Sequence, residues 1–420
     1  MPLARSRTAA LAGGWLLAAA VLIAGCATPP PPAPPPPPPP LPERPAPQRS
    51  DLTLEQGIAF AVDDLFIQLQ RLPAFAPRVS DKVVEVRRSV IVVDTIIDAA
   101  TGQQTQATLL AEALVYERTR DKFKQFDVFA ATPEHLKRAE YVVTSTMTPV
   151  KDERGVYRLN MAMTELRAGL VVAQAAARVR DESVDVTPTA FYRDSPAIAK
   201  DRVIEGQIRT AETAADRPAD AVYIERLPTN ALMNEGLTAF NAGNYADALP
   251  YYDEAAKRQD GQQLRVYNGL YMIHWNLGRA ADAENAFGKI VAIGLATNNL
   301  AVKFLFRPGS IEFWADTKIS GPYPIWLRQL AQQMVATRSC LRVIGHTSRT
   351  GSEPLNERLS LRRAEVIKQR LLTETRETAA RIETAGAGSR ENLIGSGTDD
   401  QRDALDRRVE FRVITCPGGA

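Results

Sequence analysis

The residues with the clearest chemical promise lie in the last quarter of the chain, where Leu341 to Thr347 reads as a strand and Asn356 to Leu372 as the helix that follows it. Asparagine is a favoured N-cap, and Asn356 stands where that helix would begin. From it, Leu359 is three residues on, Ser360 four and Arg363 seven, so the set stacks along one helix face over two turns. A guanidinium there offers forked donors that match a carboxylate, and the amides of a helix N-terminus favour anions. Thr347 and Ser348 at the strand end share the same concave mouth, and Asp406 and Arg408 sit at the start of the last strand. The pattern points to a site for the carboxylate of an amino acid. The competing reading pairs Arg363 with a local acid, Glu357 or Asp406, on a solvated face.

Other chemistry is thinly represented. The chain has 3 histidines, His135, His274 and His346, scattered through three segments, so no metal-ligand cluster is expected and His346 reads as a strand-end side chain bonded to the adjoining loop. Gly386-Ala387-Gly388 has no third glycine at Glu391 and counts as a turn. Neither Gly-x-Ser-x-Gly, His-Glu-x-x-His nor a phosphate loop occurs. The expectation is a non-enzyme without metal or cofactor.

The elements that must position the candidate site run in the order βαβαββ: a strand from Val302 to Phe306, a helix near Pro324 to Ala336, the strand and helix above, a strand from Arg381 to Gly388, and a last strand from Arg407 to Val413. Gly345-His346-Thr347, Gly351-Ser352, Asn356, Leu359-Ser360-x-x-Arg363-Ala364 and Arg407-Arg408-Val409-Glu410, in that order and spacing, resemble the signature of the OmpA-like peptidoglycan-binding domain. The resemblance covers residues 300–416. It implies that the ligand is the diaminopimelate stem of peptidoglycan, with Arg363 taking its carboxylate. Domains of this kind carry an aspartate directly after Gly-His-Thr, where this chain has Ser348; a serine brings no charge to the ligand's ammonium, so weaker binding is implied. Asp406, Asp399 and Asp400 are the candidates for a carboxylate arriving from elsewhere.

The start of the chain reads as an export signal over residues 1–25. Arg5 and Arg7 precede an apolar run, Ala9 to Ala24, too short to span a bilayer comfortably. Ile23-Ala24-Gly25-Cys26 resembles a lipobox, which implies lipidation (palmitate) at Cys26, and Ala27 in place of an aspartate favours the periplasmic face of the outer membrane. The proline-rich stretch in residues 26–50 stays in extended polyproline II, and about twenty such residues at about 3 Å each make a spacer on the order of 60 Å. The other two cysteines, Cys340 and Cys416, form an even pair in a compartment that permits disulfides, at the start of one strand and the end of another expected beside it. With 51 basic and 49 acidic residues spread along the chain and a net charge of +2, nothing suggests a nucleic-acid partner.

Between these ends the chain reads as a multidomain α+β protein. Residues 51–185 alternate helix and strand signals: Thr53 and Gln56 make a capping box for a helix through Leu72, Val83 to Ile97 is β-branched, Leu109 to Tyr116 is helical, and Tyr141 to Met147 and Tyr157 to Met163 alternate as half-buried strands. An N-terminal α/β domain is expected, faintly similar to the LpoB, CsgG and FlgO kind of lipoprotein. Residues 186–228, rich in Asp, Arg, Pro and Ala, read as a linker. Over 229–296 a shift of 35 residues superposes Phe240-Asn241-Ala242-Gly243 on Trp275-Asn276-Leu277-Gly278, and Ala246-Asp247-Ala248 on Ala281-Asp282-Ala283. This resembles a pair of tetratricopeptide repeats: short α-helical hairpins that would lean on a neighbour and offer either a protein-binding groove or a spacer. The function implied is an outer-membrane-anchored lipoprotein that tethers peptidoglycan; the alternative is a regulatory or assembly lipoprotein that binds a cell-wall synthase or secretion apparatus through its N-terminal and repeat domains.

Overall fold

The computed structural model describes residues 51–75, 78–80, 83–85, 88–150, 153–394, 397 and 402–416. The signal segment, Cys26, the proline-rich stretch, Asp399 and Asp400 lie outside the described residues. Thr53 opens helix α1 (Leu54–Gln70) by accepting from the Gln56 amide while the Gln56 side chain accepts from Thr53, the expected capping box. The next elements are β1 (Arg78–Ser80), β2 (Val83–Glu85), β3 (Ser89–Val93), β4 (Ile97–Asp98), α2 (Gln106–Lys122), β5 (Phe126–Ala130), α3 (Pro133–Leu136), β6 (Tyr141–Pro149), β7 (Val156–Glu165) and β8 (Leu170–Arg180). The β-branched run is therefore split into β2, β3 and β4.

After these come α4 (Ala190–Asp194), β9 (Ala197–Ile198), α5 (Arg202–Glu212) and β10 (Arg217–Pro218), all within the stretch expected to be a linker. The reason is burial. Val203, Tyr223 and Leu227 pack on Val92 and Val142, covering the face of the sheet opposite α1. The sheet runs β10-β8-β7-β6-β3-β5, with β4 also on β6. β3 is parallel to β5 and β6, and the other pairs in that order are antiparallel. On its first face Ile58, Leu65 and Phe66 of α1 meet the inward residues Ala173, Ala175, Ala177 and Val179 of β8. The N-terminal domain thus extends past residue 185 into the start of α6 (Ala221–Asn241).

Helices α6 and α7 (Tyr245–Lys257), then α8 (Leu264–Asn276) and α9 (Ala280–Ala296), form the two expected hairpins. Gly243 and Gly278, one between the helices of each hairpin, have φ of 79° and 71°, a left-handed turn that suits glycine. The hairpins share one core with the last domain, built from β11 (Leu300–Val302), α10 (Thr317–Ser320), α11 (Tyr323–Thr337), β12 (Cys340–Gly345), α12 (Glu353–Glu374), β13 (Ile382–Gly386) and β14 (Val409–Ile414). Trp326 of α11 stacks on Phe287 at 5.5 Å between ring centroids and donates its indole N–H to the Tyr271 hydroxyl at 2.9 Å.

The C-terminal sheet has the order β13-β12-β14-β11-β9, so the fifth strand comes from the supposed linker. The first strand ends at Val302 rather than at Phe306, because the chain turns inward: Lys303 is buried and donates to the carbonyls of Tyr192 and Arg193 at 2.7 and 3.1 Å. Cys340 and Cys416 are joined by a disulfide, with Cα atoms 5.1 Å apart, where β12 starts and β14 ends.

Candidate functional site

The site is seated by a close approach of backbones. Gly345 and Gly386 are register partners on β12 and β13. A Cβ on Gly345 would lie 2.1 Å from the Ser360 carbonyl oxygen, and one on Gly386 2.5 Å from that of Glu357. Only glycine lets α12 settle this deeply. The Ser360 hydroxyl then accepts from the Gly388 amide at 2.9 Å and donates to the Glu357 carbonyl at 2.8 Å, tying helix to loop.

The helix begins three residues earlier than the sequence suggests. Glu353 is its first residue, Ser352 its cap, and Pro354 lies in the first turn, where a missing N–H costs nothing. Asn356 is therefore inside the helix, not its cap; its side-chain amide donates to the Ser348 carbonyl at 3.4 Å, fastening the loop after β12. Asn356, Leu359, Ser360 and Arg363 do share the buried face, as the spacing requires. Arg363 is 2 % exposed. It donates to the carbonyls of Arg307 and Ser310 at 3.0 Å each and lies over the Phe306 ring at 5.0 Å, so it holds the loop after β11; Glu357 is paired with Arg390 instead.

Asp406 is fully buried and accepts the amides of Leu393 and Ile394 at 2.6 and 3.0 Å. A carboxylate bound to two backbone amides is a loop anchor. The loop it fixes brings in Asn392, which donates to the Thr347 carbonyl at 2.8 Å. Thr347 Oγ1, His346 Nδ1 and Asn392 Oδ1 are buried here without a hydrogen-bond partner among the described residues. Asn392 was not foreseen; an asparagine in a loop gives no signal until its tertiary partner is known.

His346 faces Glu410 on β14 rather than the loop, with Nε2 3.5 Å from Oε1. Arg408 pairs with the same oxygen at 2.6 Å and donates to the Glu391 carbonyl at 3.2 Å. Burial alone would raise the Glu410 carboxyl, but the His346 ring and the Arg408 guanidinium outweigh it and hold it well below the usual range. His346, Glu391 and Glu410 bring potential ligand atoms within 4.8 Å of one another, a grouping missed by counting histidines alone. Arg412 bridges both carboxylates, 3.3 Å from Glu391 and 3.1 Å from Glu410, so they are already compensated by cations.

Residues 306–405 match the OmpA family. Over 74 residues the chain is 42% identical to outer membrane protein Omp38 of Acinetobacter baumannii, which is 18% of this chain and 20% of that protein. It is 40% identical over 74 residues to the probable lipoprotein YiaD of Escherichia coli, 33% of its length. The chain thus spans a fifth to a third of the curated relatives it matches. Among solved structures, the peptidoglycan-associated lipoprotein of Burkholderia pseudomallei aligns over 27% of this chain and 89% of its own at 23% identity, with a TM-score of 0.23. The periplasmic domain of Helicobacter pylori MotB aligns over 28% and 74% at 16% identity, also with a TM-score of 0.23. The chain carries an OmpA-like domain at its C-terminus. No described helix is long and apolar enough to cross a membrane.

Proposed function

We propose that this protein is a non-enzymatic envelope lipoprotein that holds peptidoglycan non-covalently through its OmpA-like domain, while a lipid on Cys26 anchors it to the outer membrane. The observation that carries the reading is that Thr347 Oγ1, His346 Nδ1 and Asn392 Oδ1, on the strand end and the loop tied to it in the matched domain, are buried and without a hydrogen-bond partner among the described residues. Buried polar atoms of this kind call for a ligand or solvent to complete them. In this reading Arg363, whose guanidinium also ties down the Arg307 and Ser310 carbonyls, and Arg408 beside Glu410 lend positive charge from behind the mouth to a stem-peptide carboxylate, and Thr347 and Ser348 supply neutral contacts. Asn356, Leu359 and Asp406 shape the mouth. The helical hairpins act as a rigid spacer, because Trp326 of the same chain fills the Tyr271–Phe287 face that a protein partner would otherwise use. The alternative, a dedicated partner bound through residues 51–300, would show as a stoichiometric protein in a pull-down with the whole chain that persists after muramidase digestion.

Sedimentation with purified peptidoglycan tests the reading. Weak wild-type binding should strengthen about tenfold in Ser348→Asp, which restores a charge-assisted bond to the ligand's ammonium. It should vanish in Arg363→Ala. Failure of both the wild type and Ser348→Asp to sediment would remove the cell-wall role.

A further inference from the structure

At the carboxyl end of β3, where Asp94 to Gln103 follow the strand, the N-terminal domain, the segment from Phe191 to Gln207 and helices α6, α7 and α8 line a cavity of about 40 Å³. A water needs about 10–15 Å³ of such space, so there is room for about three waters or one small molecule. The position is where an open sheet generally takes a ligand: β3 passes through α2 to β5 on one side of it, and β5 returns through α3 to β6 on the other, which leaves a crevice at the strand ends.

The lining is polar and incompletely bonded. Gln103 is 2 % exposed, and neither its amide nitrogen nor its amide oxygen has a partner among the described residues. Asn268, 3 % exposed, gives Nδ2 to the Ala197 carbonyl at 2.9 Å and keeps Oδ1 unengaged. The charged groups beside them are already answered. Arg265 sits 3.4 Å from Asp201 and donates to Asn230 at 3.0 Å and Gln263 at 2.9 Å. Asp94 accepts from the Tyr223 hydroxyl at 2.8 Å, from Asn234 at 2.9 Å and from the Thr95 amide at 2.9 Å. What remains open is one amide donor and two amide acceptors, without a call for net charge.

We propose that this cavity binds a small neutral molecule bearing a carboxamide, whose carbonyl accepts from the Gln103 nitrogen and whose N–H groups donate to the oxygens of Gln103 and Asn268. A carboxamide pairs reciprocally with another, donor to acceptor and acceptor to donor, which neither an anion nor an ammonium can do. The site stands apart from the OmpA-like domain and does not depend on the peptidoglycan reading.

The test titrates the full chain at millimolar concentrations with acetamide, with glycine as a zwitterion and acetate as an anion, read by saturation-transfer NMR. Saturable acetamide binding is expected, with no competition from acetate or glycine, and at least tenfold weaker binding in Gln103→Leu and Asn268→Leu. Gln103→Glu keeps the shape of the side chain but replaces its donor, and should weaken binding to the same degree while circular dichroism stays native. Absence of acetamide binding to the folded wild type, which would mean a water-filled cavity, overturns the proposal. So does undiminished binding in Gln103→Glu, or displacement of acetamide by acetate.

Discussion

Glu410 in the OmpA-like domain, half-buried, and Asp94 in the N-terminal domain, buried, are both carboxylates drawn away from solvent, but their surroundings differ in kind. Glu410 lies among ions and a ring: Arg408 at 2.6 Å, Arg412 at 3.1 Å and His346 at 3.5 Å. Asp94, 2 % exposed, is met by a hydroxyl, a side-chain amide and a backbone amide. Ionic compensation keeps Glu410 charged well into acid. Neutral donors place no positive charge nearby, and Glu112, close enough to feel Asp94, shows the result. Burial, and to a smaller degree the charge of Asp94, push its carboxyl up to about 7 against the bonds from Ile96 and Gln104. The first arrangement balances a charge with cations, and the second satisfies one with neutral donors where packed elements enclose it.

The largest test takes apart the strands that carry the ions. Replacing Cys340 and Cys416 by serine opens a 76-residue separation and should cost about 4 kcal/mol in the chain-entropy treatment, seen by chemical denaturation as an earlier C-terminal transition. If ionic compensation is what stabilises Glu410, Arg408→Ala, which leaves a half-buried carboxylate with its weaker partners, should cost about 3 kcal/mol, whereas Arg408→Lys should recover part of it. On the neutral side, Tyr223→Phe deprives Asp94 of one donor and should cost about 2 kcal/mol, the price of a buried acceptor losing a bond. A cost equal to that of Arg408→Ala would erase the distinction.

The smallest effect is the pH dependence, and it should have opposite signs in the two domains. Glu112 binds its proton more tightly folded than unfolded, so its contribution is present below about pH 4.5 and is lost as pH rises through about 7. Because the residue as a whole is only half-buried, the change is on the order of 2 kcal/mol or less. Glu410, held below its ordinary value, contributes above about pH 4.5 and loses that contribution as pH falls toward its folded pKa. Between pH 4.5 and 7.5 the change in stability should therefore flatten in Glu112→Gln, and Glu410→Gln should remove the loss that the wild type shows as pH falls below about 4.5.

Residue spacing alone was enough to place Asn356, Leu359, Ser360 and Arg363 on one face of α12, the capping box at Thr53, and the repeated glycine turns at Gly243 and Gly278, because each of these is decided within a turn or two of helix. Tertiary structure decided the rest. The segment 186–228 looked like a linker by composition, yet Ala197 and Ile198 pair with Val302 and Ala301 more than 100 positions away. Tyr223 reaches Asp94 across 129 positions. Asn356 lost its capping role to Ser352 and gives its side-chain amide to the Ser348 carbonyl in the loop after β12 instead. His346 faces Glu410 rather than its own loop, because β14 pairs alongside β12 and brings that carboxylate to 3.5 Å. Hydrophobic and helical periods are local properties that a sequence states directly; which buried polar group meets which partner depends on where distant elements come to rest, and only packing determines that.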